Sequence, residues 1–229
     1  MQLAPSTLAQ WAGAIATSAA VVVALFKEEI SRVFRRPKLV VRIQPIAPDC
    51  VKTPIHVTAG GNLQWAGEAY FLRLWIENSG ALRAEKVQVF LADVKRLQSD
   101  GSFGTVPGFL PMNLRWSHTD FFKPEVYADG ISPKMGKHCD LACISDPHNP
   151  TLPPLPDSPQ GKTTVDLWLE VFPATQSHRL PTGTYVLEVR VAAANSWPAN
   201  FRIQLNNNGE WFTNEAKMFA RGVGVKQLG

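Results

Sequence analysis

No charged side chain occurs among residues 1–26, and apolar residues run almost unbroken from position 8 to position 26. Only Gln10, Thr17 and Ser18 interrupt them. As a helix this stretch would be roughly 28 Å long, close to the ~30 Å hydrocarbon core of a bilayer. A soluble amphipathic helix would carry a polar stripe every three or four residues, and residues 12–25 carry none. Trp11 and Gln10 stand at one end, where a membrane interface would place them. Pro5 with Ser6 and Thr7 supplies a helix start. A cleaved signal peptide and a buried core helix are the alternatives. A signal peptide calls for a positive first segment and a small-residue cleavage site, but this segment begins without charge and runs into FKEEIS. The sequence therefore predicts a transmembrane helix.

Charge then sets an orientation. The formal net charge is +4, and Lys27, Arg32, Arg35, Arg36 and Lys38 crowd the C-terminal flank of the span against Glu28 and Glu29. The positive-inside bias puts that flank in the cytoplasm. The expectation is an inner (cytoplasmic) membrane protein with its N-terminus out and its body in the cytoplasm. Cys50, Cys139 and Cys143 are odd in number, as suits a reducing compartment better than a disulfide framework. With the basic cluster set aside the rest is nearly neutral, which excludes the basic face that a nucleic-acid binder needs. No nucleic-acid partner is expected.

The helix should outlast the membrane. Phe26, Ile30, Val33 and Phe34 form one apolar stripe, and Glu28 and Arg32 sit four apart with favourable polarity. Trp11, Lys27, Arg32, Arg35, Arg36 and Lys38 are the expected membrane-interface residues, and the basic ones among them can meet anionic headgroups. Pro37 stops the helix. Two domains result: residues 1–36, the transmembrane helix with its juxtamembrane basic extension, and residues 37–229, a cytosolic β-sandwich.

Beyond Pro37 the apolar period becomes two. Leu39, Val41 and Ile43 alternate with polar neighbours, as do Tyr70, Leu72, Leu74 and Ile76, and Val87, Val89 and Leu91. The same holds for Val165, Leu167, Leu169 and Val171, for Tyr185, Leu187, Val189 and Val191, and for Phe201, Ile203 and Leu205. Such alternation reads as half-buried antiparallel strands. About eight strands and no helix in the body are expected, with four long loops over residues 45–68, 97–111, 119–137 and 145–162. A sandwich is favoured over a closed barrel.

The segment ENSGALRAEKVQVFL, following a strand, is similar to the N-x-G, A, V-x-V pattern of bacterial immunoglobulin-like domains. The order RPKLVVRI, Cys50, YFLRLWIENSGALRAEKVQVFLADV, LPMNLRWSH, ISPKMGKHCDLACI, GTYVLEVRVAAANSWPANFRIQL and GEWF resembles a group of uncharacterised prokaryotic membrane-anchored proteins. The resemblance covers most of residues 37–219. It implies a mainly β chain, with one N-terminal transmembrane helix followed by an immunoglobulin-like antiparallel β-sandwich. It implies no activity and supplies no catalytic residue.

Function would sit in the loops. In the segment 146–161 prolines recur at 147, 150, 153, 156 and 159, the three-residue period of a polyproline II edge. A stiff strap between strands is the expectation, over a ligand for a proline-binding groove. GKTT at Gly161 lacks the glycine and following helix of a phosphate loop. No G-x-S-x-G, H-E-x-x-H or C-x-x-C occurs. His138, Cys139, Cys143 and His148 are the candidate metal ligands. However, Cys-x3-Cys on a strand puts both thiols on one face about 13 Å apart, too far for one zinc. No metal, cofactor or catalytic residue is therefore expected.

The function expected is a single-pass membrane-anchored binding module, an adaptor or sensor whose sandwich binds a protein or small ligand. Trp116, His118 and Trp197 are the candidate partner-binding residues. Ala12, Gly13, Ala16 and Ala20 are small residues spaced for helix packing, so the partners expected are membrane lipid, an unidentified protein or small molecule, and a second copy of the chain, with signalling by helix oligomerisation. The alternative is a membrane-anchored hydrolase or metal-dependent enzyme using His118 with Asp120, or the cluster from His138 to His148.

Overall fold

A computed structural model of the chain describes residues 5–34, 36–59, 62–119, 123, 125–148 and 161–228. Helix α1 (Pro5–Phe34) is continuous, as expected of a run with Pro only at its first position and no β-breaking interruption inside. Every described side chain from Gln10 to Lys27 is exposed, so the apolar segment packs on nothing in the body. It is the one helix among the described residues long and apolar enough to cross a membrane.

The body is mainly β. In chain order its strands are β1 (Leu39–Arg42), β2 (Cys50–Ala59), β3 (Asn62–Asn78), β4 (Ala84–Leu97), β5 (Phe103–Thr105), β6 (Met112–Asn113) and β7 (Arg115–Trp116), then β8 (Ala128–Ile131), β9 (Gly136–Ser145), β10 (Val165–Leu167), β11 (Arg179–Leu180), β12 (Gly183–Ala193), β13 (Ser196–Asn207) and β14 (Val223–Leu228). They form two antiparallel sheets. One runs β1-β3-β9-β10-β11, with β2 also on β3 and β7 also on β9; the other runs β14-β13-β12-β4-β5, with β6 and β8 also on β4. The chain changes sheet at Leu114, because β6 belongs to β4 and β7 to β9. Leu114 also bridges to Leu169, so one side of the two sheets is laced together.

One apolar cluster joins the sheets. Its members are the alternating residues of the sequence: Tyr70, Leu72, Leu74 and Ile76 from one sheet meet Val87, Val89, Leu91, Leu187, Val189 and Val191 from the other. Two bulges let the alternation survive changes of register. On β4, Val189 pairs with Leu91 but Glu188 with Asp93, so Ala92 is the extra residue and Val94, three after Leu91, still faces inward. On β9, Leu72 pairs with Ala142 but Arg73 with Asp140, so Leu141 is extra and strand polarity inverts there.

The structure departs from the strand reading in definable places. Residues 50–78 form a long hairpin, β2 against β3, of which residues 50–68 fall in an expected loop, while the strand through Tyr70, Leu72, Leu74 and Ile76 stands as expected. Its first strand holds Lys52, Thr53, Pro54 and His56 and so shows no apolar alternation; Pro54 is tolerated because β2 is an edge strand. Strands β5 and β8 lie inside two of the other expected loops. The run from Val165 ends as a strand at Leu167, since Glu170 donates its N–H to the Asn113 carbonyl at 2.8 Å and not to a β9 neighbour, leaving Val171 59% exposed. Ala193 pairs with Ser196 across a tight turn at Ala194 and Asn195, so Trp197 and Pro198 lie on β13. A short helical turn, Glu215–Lys217 running into a wider turn Met218–Gly222, precedes β14, where no helix was expected.

Candidate ligand-binding cleft

The outward face of β3 carries Phe71, Arg73, Trp75 and Glu77, and register puts Cys143, Asp140, His138 and Gly136 of β9 beside them in turn. Charges and aromatics are thereby concentrated on the side of this sheet away from the core. At the β7 edge of that face lies a half-open cleft of about 580 Å³, lined by Trp75, Ser117, His118, Lys137 and His138 with Thr119 and Glu125.

Each wall has a local cause. The Trp75 and His138 rings meet edge to face at 4.8 Å. Gly136 makes room for the indole, because a Cβ there would collide with the Trp75 ring and the Ile76 carbonyl. His138 Nε2 lies 3.0 Å from Asp49 Oδ1. An ionised carboxylate only accepts, so Nε2 carries the hydrogen and Nδ1 of the neutral ring is left as an acceptor. Asp49 is itself fixed, its Oδ2 accepting the Gln44 N–H at 2.9 Å and its carbonyl accepting the Arg73 N–H at 2.7 Å. Ser117 donates its hydroxyl to Asp140 Oδ1 at 2.6 Å, and Arg73 Nε donates to the same oxygen at 3.1 Å. His118 has φ of +63°, the left-handed region that turns the chain after β7 and leaves the imidazole exposed at the rim. Lys137 and Glu125 face each other across the cleft at 3.7 Å. The cleft thus offers an indole edge, an oriented imidazole acceptor, a hydroxyl and one charge of each sign.

Next along the same face the polar groups are sealed. Asp166 and Arg179 pair at 2.9 Å with both side chains nearly inaccessible. Burial pushes the Asp166 carboxyl up, opposed by the Arg179 guanidinium. Arg115 donates to the Leu169 and Glu170 carbonyls at 2.7 and 2.8 Å, and burial lowers its pKa. Its guanidinium lies over the Phe172 ring at 5.0 Å, and Phe172 stacks on His178. The His178 imidazole is pushed down to about 4, by burial first and Arg179 second. These contacts are structural; they close the sheet face next to the cleft.

The cleft brings together two residues that sequence reasoning kept apart. His118, expected to meet a partner, stands beside His138, considered a metal candidate. It also adds Trp75, Ser117, Glu125 and Lys137, and behind His138 stands Asp49, 89 residues away in sequence and beyond the reach of any spacing argument. Trp116 is not a surface residue. It is 1% exposed, packs in the common core, and donates its indole N–H to the Val126 carbonyl at 3.2 Å. The cluster from His138 to His148 is drawn out along β9, which alone separates its ends by roughly 20 Å. The bulge at Leu141 also overturns the shared face of the two cysteines: Cys139 pairs with inward Leu74, and Cys143 with outward Phe71. Among the described residues no group of three His, Cys, Asp or Glu side chains is placed to hold a metal. Asp120, Arg35 and the prolines from 150 to 159 lie outside the described residues. Trp11, Ala12, Gly13, Ala16, Ala20 and Lys27 are exposed along α1, and Trp197 is 76% exposed at the start of β13. No protein family, curated protein or solved structure matches the chain.

Proposed function

We propose that the chain is a single-pass membrane-anchored binding module, with α1 as a transmembrane helix and an immunoglobulin-like β-sandwich body in the cytoplasm. The observation that carries this reading is an apolar helix whose described side chains, residues 10–27, are all exposed, joined by a few residues to a body with an apolar core of its own. Water would penalise that helix by about 25 cal/mol for each Å² of apolar surface left uncovered; a bilayer removes the penalty. The basic flank from Lys27 to Lys38 then argues for a cytoplasmic body.

Binding is assigned to the cleft of Trp75, His118 and His138. Its size suits a small polar ligand with an aromatic or planar part, stacked on the indole and donating a hydrogen bond to His138 Nδ1. The hydrolase alternative has one contact in its favour, the Asp49–His138 pair, which is how a general base is oriented. It lacks a nucleophile in place: the Ser117 hydroxyl is directed to Asp140. The test is a small-molecule screen by thermal shift of the full-length protein in detergent, repeated on Trp75→Ala and His118→Ala. Ligands whose stabilisation disappears in both variants support the assignment. Hits that stabilise both variants as well as the parent would place binding elsewhere, and hydrolysis of a hit that stops in His138→Ala would favour the enzyme.

A further inference from the structure

One end of the body collects the start of β1, β4, β9 and β13 and the end of β3, β8 and β12. The segments at that end are 36–38, 79–83, 132–135 and 194–195, with Lys38, Ala81, Arg83, residues 132–135 and Ala194 exposed. Together they contain Arg36, Lys38, Arg83 and Lys134, with two exposed acids beside them, Asp129 paired with Arg83 and Glu85 at the start of β4. We infer that this end of the body is a membrane-docking surface, with Trp197 and Met135 entering the lipid headgroup layer and the basic side chains around them meeting lipid phosphates. The inference rests on the reading of α1 as a membrane anchor and says how the body sits beneath it.

The linker is bound to the body rather than hanging from it. Lys38 N–H donates to Asn78 Oδ1 at 3.2 Å, and the Lys38 carbonyl accepts from the Ser79 N–H and hydroxyl at 2.8 and 3.1 Å. Ser196 donates its hydroxyl to the Pro37 carbonyl at 3.1 Å. Gly80 lets the linker pass so close that a Cβ would strike the backbone of residues 36–38. From Phe34 to Leu39 the chain can extend at most roughly 17 Å. The helical residues after Lys27 rise about 10 Å, comparable with the headgroup layer on one side of the bilayer. The end of the body from which α1 departs is therefore held at the lipid surface.

What that end displays fits the location. Trp197 is 76% exposed and Met135 62% exposed, an unfavourable display in water. The Arg36 guanidinium lies over the Trp197 ring at 5.4 Å, pairing an indole with a cation as interfacial anchors do. Lys134 holds the Ser79 carbonyl with its Nζ at 2.9 Å and remains at the surface, where anionic headgroups attract it; Arg83 is neutralised by the exposed Asp129 at 2.6 Å, so Arg36, Lys38 and Lys134 carry the attraction.

The test uses the full-length protein in phosphatidylcholine–phosphatidylglycerol vesicles, with a polarity-sensitive dye on one introduced cysteine. The native thiols are buried and their pKa values raised, so they do not compete. Dyes at Trp197→Cys and Met135→Cys should emit at shorter wavelength and be quenched several-fold more by headgroup spin-labelled lipid than a dye at Gln98→Cys, at the opposite end. A dye at Val22→Cys should be quenched by acyl-chain spin label. If positions 197 and 135 are quenched no more than position 98 while position 22 is quenched, the anchor stands and the docking surface is wrong. If position 22 is not quenched, the anchor fails and the docking surface with it.

Discussion

Asn78 is fully buried and makes four hydrogen bonds. Its Nδ2 donates to the Leu82 and Ile131 carbonyls at 2.7 and 2.9 Å. Its Oδ1 accepts from the Lys38 and Gly80 N–H groups at 3.2 and 3.0 Å. One side chain therefore ties the linker, the β3–β4 loop and β8 together. Replacement by leucine keeps the volume and strands four backbone groups. The Ile131 carbonyl sits deepest and would cost about 2 kcal/mol, and the three nearer the surface about 1 kcal/mol each after partial rehydration. The expected loss is roughly 4–5 kcal/mol, a large part of the 5–15 kcal/mol of a typical domain. Asn208→Ala is the control. Asn208 is exposed and its Nδ2 makes one bond, to Arg221 O at 2.6 Å, and it should cost under about 1 kcal/mol. Urea unfolding of the full-length protein in a mild detergent, followed by tryptophan emission, should give a large drop in midpoint for Asn78→Leu with an unchanged slope. A loss no greater than that of Asn208→Ala would refute the argument that satisfied buried amides hold this end together.

Other outcomes follow from named groups. The folded His178 imidazole sits near 4 against 6.5 for the free group, so the unfolded chain binds the extra proton. Its contribution is complete above pH 6.5 and is lost as pH falls toward 4, on the order of 2 kcal/mol once partial solvation is discounted. His178→Phe keeps the stack on Phe172 and should flatten the stability profile in that window; an unchanged slope would contradict it. Cys50 is pushed up to about 12 by burial first and Asp49 second, and burial also raises Cys139 and Cys143 well above the ordinary thiol value. Maleimide at neutral pH should therefore label none of the three until denaturant is added, and rapid labelling of the folded protein would show that one is accessible. Gly136→Ala should displace the Trp75 indole, altering tryptophan emission and lowering the affinity of any cleft ligand several-fold; unchanged ligand affinity would separate Trp75 from binding.

Much of the framework was legible because a period of two is a direct imprint of burial. Tyr70, Leu72, Leu74 and Ile76, and Tyr185, Leu187, Val189 and Val191, are core residues as their alternation required. The apolar helix was legible for a similar reason, as an unbroken run needs no partner to be recognised. Bulges were not. The extra residue Leu141 leaves no mark in KHCDLACI, yet it sends Cys139 and Cys143 to opposite faces. Most of β2 was read as loop because an edge strand with one solvated face can be built from Lys, Thr, Pro and His. The cleft was half legible: His118 and His138 stood out as chemistry-bearing residues, but their meeting depends on β7 pairing with β9. Asp49, which orients His138, comes from a loop far away in sequence, and only the fold reveals it. Trp116, a candidate for partner binding, is inside, because the change of sheet at Leu114 carries it into the core.

The proposed role of α1 is to anchor the β body in a membrane. Alkaline carbonate washing of membranes from cells expressing the full-length chain, beside cells expressing residues 37–229 alone, tests it directly. With α1 in the bilayer, the full-length chain stays in the washed membrane pellet and residues 37–229 are released to the supernatant. Recovery of the full-length chain in the carbonate supernatant would contradict it.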